Sequence, residues 1–429
     1  MLKKIKSTFR SDDKKRLLEN FLSLSVLQGA NYILPLLTLP YLVRVLEPDK
    51  FGLIMFAQAF IQFFIILTDY GFNLSATREI SIHRNDKNKI AEIFNSVMAI
   101  KLGLLLFSFL IMSIVVFSFD KFHNEWIIYY LTFGRVVGQV LFPVWFFQGM
   151  ERMKYITSLN IIAKLIFTAL IFMFVRNKAE YLYVPAINSL GFLTAGFLAL
   201  WLIFKDFHMT FIFPSMENMK FHFRDGWHIF TAQVAISIYT VSNTFILGIF
   251  TTTTIVGYYA AAEKLIKAIQ GLLSPVSQSI YPFISKLANE SKNKAIRFIR
   301  KATFIIGGTT FALSCITLIF ADVIVKIVLG TQYTESVNVL RIISFLPFII
   351  GLSNIFGVQT MLTFNYKRPF SNILIAASII NIIIAFTLVP PYQHIGVSIS
   401  VLISELFVTL AMFIYLWNRG IRVLEGEIV

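Results

Sequence analysis

The chain has 429 residues, 57% hydrophobic and only 14% charged, with 45 Phe against 12 Pro and 21 Gly. Soluble domains carry about 25% charged residues, and a chain this apolar cannot cover its own surface with polar groups, which excludes a soluble globular enzyme. The lone cysteine, Cys315, excludes a disulfide scaffold and multi-cysteine zinc, and the net charge of +15 reads as basic loops facing anionic lipid, with no nucleic-acid partner.

Crossing a bilayer takes about 20 apolar residues. Twelve such stretches are predicted, at 20–43, 51–74, 91–119, 125–148, 156–175, 181–204, 227–249, 255–284, 302–329, 337–362, 371–390 and 394–417. The expected layout is a basic segment at 1–19, a six-helix half at 20–204, a cytoplasmic linker at 205–226, a second six-helix half at 227–417 and a tail at 418–429. With the N-terminus in the cytoplasm, inside segments hold 26 Lys and Arg and outside connections hold five, a strong positive-inside bias that also places the C-terminus inside. The first apolar stretch is too long for a signal-peptide core, so no cleavable leader is expected.

The halves repeat weakly. Phe51-Gly52-Leu53 opens span two and Val256-Gly257-Tyr258 opens span eight, while Gln148 to Lys154 and Thr363 to Pro369 are basic turns leaving spans four and ten. Six spans per half give both halves the same orientation, related by an axis along the membrane normal. The fold class is an all-α polytopic membrane protein of two pseudo-symmetric bundles.

Seven basic residues fall inside spans. Lys101, Arg135, Lys164, Lys264 and Lys267 come near mid-bilayer with Glu263 and Glu405; Lys326 and Arg341 lie closer to the outer surface. A buried charge costs ~2.5–3.5 kcal/mol even on a lenient scale and normally faces a cavity or a partner. One reading is a cationic cavity for a pyrophosphate, held by charge-assisted hydrogen bonds. The other is ion pairing between helices or snorkelling to an interface. Glu263 and Glu405 are candidate coupling carboxylates, with structural pairing as the alternative. Asp69 is expected to cap or to pair with Arg78.

Gly29, Pro35 and Pro40 are expected to interrupt span one, and Pro275 and Pro282 span eight, as candidate hinges. Gly134 and Gly138 form a small-residue face. Phe142, Trp145, Phe146 and Phe147 read as an interfacial belt or a stacking surface for sugars. No phosphate-binding loop, His-Glu-x-x-His motif or metal-ligand spacing occurs, so neither cofactor nor metal is expected. The connections are too short for a catalytic domain.

The run Ser25-Val26-Leu27-Gln28-Gly29-Ala30-Asn31-Tyr32, then Pro35 to Leu42, Arg44-Val45-Leu46, Phe51-Gly52, and Asp69-Tyr70-Gly71-Phe72-Asn73 through Arg78, resembles the O-antigen and polysaccharide flippases (Wzx type) of the multidrug/oligosaccharidyl-lipid/polysaccharide exporter superfamily. The likeness covers roughly the first 160 residues. It implies two bundles in a V around a central cavity, alternating access, and an undecaprenyl-pyrophosphate-linked oligosaccharide as cargo. It further implies the bacterial inner membrane, partnership with a polysaccharide polymerase and chain-length regulator, and a working monomer. The rival readings are a multidrug cation antiporter of the same superfamily, disfavoured by the mid-membrane excess of positive charge, a membrane polymerase or ligase, which needs an outside catalytic loop, and a non-transporting envelope-assembly protein.

Overall fold

The computed structural model describes residues 11–271 and 274–428. An apolar backbone without water must satisfy its N–H and C=O groups internally, and continuous helix does this. The longer helices are α1 Ser11–Asp69, α2 Phe72–Ile82, α3 Lys87–Ser118, α4 Trp126–Leu141, α5 Val144–Gly149, α6 Met153–Phe174, α7 Tyr183–Asp206, α8 Met216–Phe250, α9 Thr253–Gly271, α10 Ser274–Glu290, α11 Lys292–Ile319, α12 Ser336–Ile343, α13 Leu346–Asn354 and α14 Lys367–Asn418, with single α-helical turns at Asp120–His123 and Ala321–Ile324 and short 3-10 and π segments between some of them. A small antiparallel hairpin, β1 Ile421–Arg422 and β2 Glu427–Ile428, pairs Ile421 with Ile428 and Arg422 with Glu427. Eight stretches among the described residues are long and apolar enough to cross a membrane.

Two of these helices contain one break each. In α1 the non-helical residue is Glu47 (φ 57°, ψ 172°). Pro48 follows it, and a proline ring disfavours helical geometry in the preceding residue. In α14 the break is Gln393 (φ 48°, ψ −125°), just after Pro390 and Pro391. Both breaks fall in gaps expected between spans, 44–50 and 391–393. The hinges expected inside spans do not interrupt their helices: α1 continues through Gly29, Pro35 and Pro40, and α10 through Pro282. A proline removes only its own N–H from the ladder, a loss that membrane helices tolerate. The side chain of Pro275 lies outside the described ones.

The chain divides into two compact units. One comprises Met1–Thr38 and Phe60–Val234, the other Leu39–Ala59 and Ala235–Val429. Residues 39–59 thus group with the second unit, and the mid-chain division falls between Val234 and Ala235. Glycine contacts explain it. A Cβ on Gly52 would collide with Thr253 O, and one on Gly257 with Pro48 O. Backbone thus meets backbone, with Phe56 stacked on Phe245 at 5.7 Å.

In the first unit, one core gathers around Phe94, Phe142, Trp145, Phe146 and Phe147, all buried. The aromatics of span four are therefore internal core, neither a lipid-facing belt nor a sugar platform. Gly134 and Gly138 do form a close-packed face, with Ser189 against the first and Phe192 and Leu193 against the second. In the second unit a core of Ile284, Ile296, Ile299, Phe356 and Met412 extends to Ile421 and Val423 of the hairpin.

Candidate functional site

The motif from Asp69 to Arg78 folds into a tight turn between α1 and α2. Tyr70 and Gly71 both take positive φ (48° and 76°). Gly71 needs this freedom, and it also has no room for a Cβ, which would sit 2.7 Å from Ile229. Tyr70 lies between Phe223 (4.4 Å) and Phe230 (4.7 Å). Arg78 reaches Asp225 at 2.9 Å and Glu79 at 3.1 Å. The pairing expected between Asp69 and Arg78 is thus replaced: Arg78 anchors the start of α8.

Asp69 turns inward instead. Its Oδ1 accepts from Asn73 Nδ2 at 2.8 Å and lies 3.8 Å from Lys101 Nζ. Lys101 is only 2% exposed. The ammonium at this depth has a carboxylate beside it, as a charge in low dielectric requires.

Arg135 and Lys164 are arranged differently. Arg135 rises from the Gly134–Gly138 face, its guanidinium carbon 5.2 Å from the centre of the Phe192 ring. Its Nε is buried without a hydrogen-bond partner among the described residues. Lys164 donates to Asn31 Oδ1, and the two cations are near enough for their charges to act on each other. Neither has a carboxylate within 4 Å among the described residues. Asn31, Asn73 and Phe192 were absent from the expected site. Asn31 and Asn73 do sit inside the two flippase-like motifs, the only sequence signal they give.

Glu263 bonds Lys267 one turn on, at 2.9 Å, and accepts from Tyr259 OH at 3.3 Å; Lys267 is exposed. Lys264 and Glu405 are half-buried. A separate neutral network joins Gln359, Ser277 and Asn354: Gln359 Nε2 donates to Ser277 O at 3.0 Å, and Ser277 Oγ to Asn354 Oδ1 at 2.6 Å. No group of His, Cys, Asp and Glu able to hold a metal occurs among the described residues.

The family described as polysaccharide biosynthesis protein matches residues 17–288. The chain belongs to this family. It is 37% identical over 96% of its length, and 99% of the relative's, to a protein of Escherichia coli (strain K12) named "Putative O-antigen transporter", and 29% identical over 92% of its length to a Shigella dysenteriae protein of the same name, 98% of which is covered. Among solved structures it is similar to the lipid II flippase MurJ in an inward closed conformation, with a TM-score of 0.72, 13% identity and coverage of 92% and 87% of the two chains. An inward-facing multidrug resistance MATE transporter of the MOP superfamily gives a TM-score of 0.65 at 13% identity, over 92% and 96%. This polysaccharide biosynthesis protein is accordingly a multi-pass membrane protein with a transporter fold.

Proposed function

We propose that the protein is a flippase that carries an undecaprenyl-pyrophosphate-linked oligosaccharide unit across the bacterial inner membrane by alternating access, without enzymatic chemistry. The observation that carries this is the Arg135–Lys164 pair. Two neighbouring cations at membrane depth with only neutral partners among the described residues are costly unless an anion visits them. Pyrophosphate suits them, since guanidinium and ammonium both form charge-assisted bonds to its oxygens. The names of the relatives support a glycan unit as the cargo. An organic cation would be repelled by the same pair, which argues against the multidrug reading despite the shared fold.

The reading includes twelve spans in two six-helix halves about a central cavity, with both termini in the cytoplasm. The breaks at Glu47 and Gln393 support that number: each divides one of the eight apolar stretches in two, and α8 and the pair α9 and α10 supply two more. Lys101 then serves as a positioning residue tied to Asp69, and a polymerase and chain-length regulator take up the product. The test replaces Arg135 with Ala in a strain lacking the native gene. Surface glycan should disappear and lipid-linked units accumulate on the inner leaflet, at unchanged membrane abundance. Normal display at normal abundance would refute the assignment.

A further inference from the structure

Helix α11 begins at Lys292, with Ser291 at its N-cap accepting from Lys294 N. Spacings of three and four residues bring Arg297, Arg300, Lys301 and Phe304 onto one face, where they line a recess of about 360 Å³. The C-terminal hairpin holds this face in place. Ile421 and Val423 are buried in the same cluster as Ile296 and Ile299. Gly426, at φ 77°, lies so close that a Cβ there would meet Arg300 Cδ at 2.9 Å. The hairpin's Glu425 is already taken by Arg422 at 3.0 Å. Among the described residues no carboxylate comes within 4 Å of Arg297, Arg300 or Lys301.

We propose that this recess binds the phosphate headgroup of an anionic phospholipid of the cytoplasmic leaflet. Charge complementarity names the headgroup, and the next turns of the helix name the rest of the molecule. Phe304 is 60% exposed beneath the basic residues, with the Arg300 guanidinium carbon 5.9 Å from its ring centre. Ile305 is 69% exposed, and Gly308 has no atom within 4 Å of where a Cβ would stand. A basic rim over an open apolar track fits an amphipathic lipid, phosphate above and acyl chain below, better than a free anion. The site needs the chain to span the membrane with its basic loops inside, and is independent of what cargo it carries.

The test is native mass spectrometry of the full chain in detergent, titrated with phosphatidylglycerol, phosphatidylethanolamine of matched acyl chains, or inorganic phosphate. Wild type should retain phosphatidylglycerol at least about tenfold more tightly than phosphatidylethanolamine, and inorganic phosphate should not compete. The triple variant Arg297→Gln, Arg300→Gln, Lys301→Gln should weaken phosphatidylglycerol about a hundredfold, and the charge-keeping pair Arg297→Lys and Arg300→Lys should stay within a few-fold of wild type. If the triple variant does not fold, Arg300→Gln alone should cost about fivefold. Equal phosphatidylglycerol binding by wild type and the glutamine variants would overturn the site. Competition by inorganic phosphate would overturn the lipid assignment. Glycan display is not the readout, so this result and the flippase reading fail separately.

Discussion

In the second unit Lys267 has Glu263 one helical turn away at 2.9 Å, whereas in the first unit Lys164 has the neutral Asn31 amide and Arg135 the face of the Phe192 ring. Lys101, also in the first unit, has Asp69. The same residue type thus occurs both compensated and uncompensated. On the proposed reading, compensation marks a charge that serves the fold, and its absence marks one kept for a ligand.

The largest effect should come from breaking the compensated pair. Asp69→Asn strands a buried ammonium and should cost about 3–5 kcal/mol, read as a loss of folded protein in thermal melts of the solubilised chain. Adding Lys101→Met should restore much of it. A stable single mutant would erase the distinction drawn here. Lys164→Met should behave oppositely, leaving melting nearly unchanged while reducing glycan flipping about tenfold, the worth of one charge-assisted hydrogen bond. If melting falls and flipping does not, Lys164 belongs with Lys101.

A charge outside the membrane sharpens the contrast through pH. His222, buried near the start of α8, has its imidazole held below its ordinary value by desolvation, against the pull of Glu79 and Asp225. Its neutral form is the one that suits the fold, so its contribution is intact above the unfolded value near 6.5 and is lost as pH falls through the lowered folded value. His222→Gln should flatten that acid-side decline in melting temperature. An unchanged slope would assign it to other groups. The smallest effect is expected at the exposed Lys267, where Lys267→Ala should cost no more than about 0.5 kcal/mol; a loss of flipping there would extend the functional charge into the second unit.

Much of the fold was legible in the sequence because lipid imposes one rule, long apolar helix, that composition alone reveals. The charged positions were legible too, since ionisable residues inside spans are rare. Their partners were not. Asp69 could face Arg78 or Lys101, and only packing against α8 decides, by drawing Arg78 to Asp225. The breaks at Glu47 and Gln393 fall in the gaps 44–50 and 391–393 that separate predicted spans, so these were legible. The hinges expected inside spans were not, because a membrane helix tolerates the single N–H that a proline removes. Residues 39–59 read as part of the first half because they lie within its run of sequence, yet they group with the second unit, where glycine contacts weld them to residues 253 and 257.

That weld at Gly52 and Gly257 has an evolutionary corollary. Where main chain abuts main chain, no rotamer can yield to relieve an added methyl, so neither position tolerates even alanine without a shift of a whole segment. In a saturation library selected for glycan display, both codons should remain nearly frozen amid freely drifting aliphatic neighbours, and revertants of a Gly52 lesion should arise at distant backbone-adjusting sites rather than in adjacent side chains.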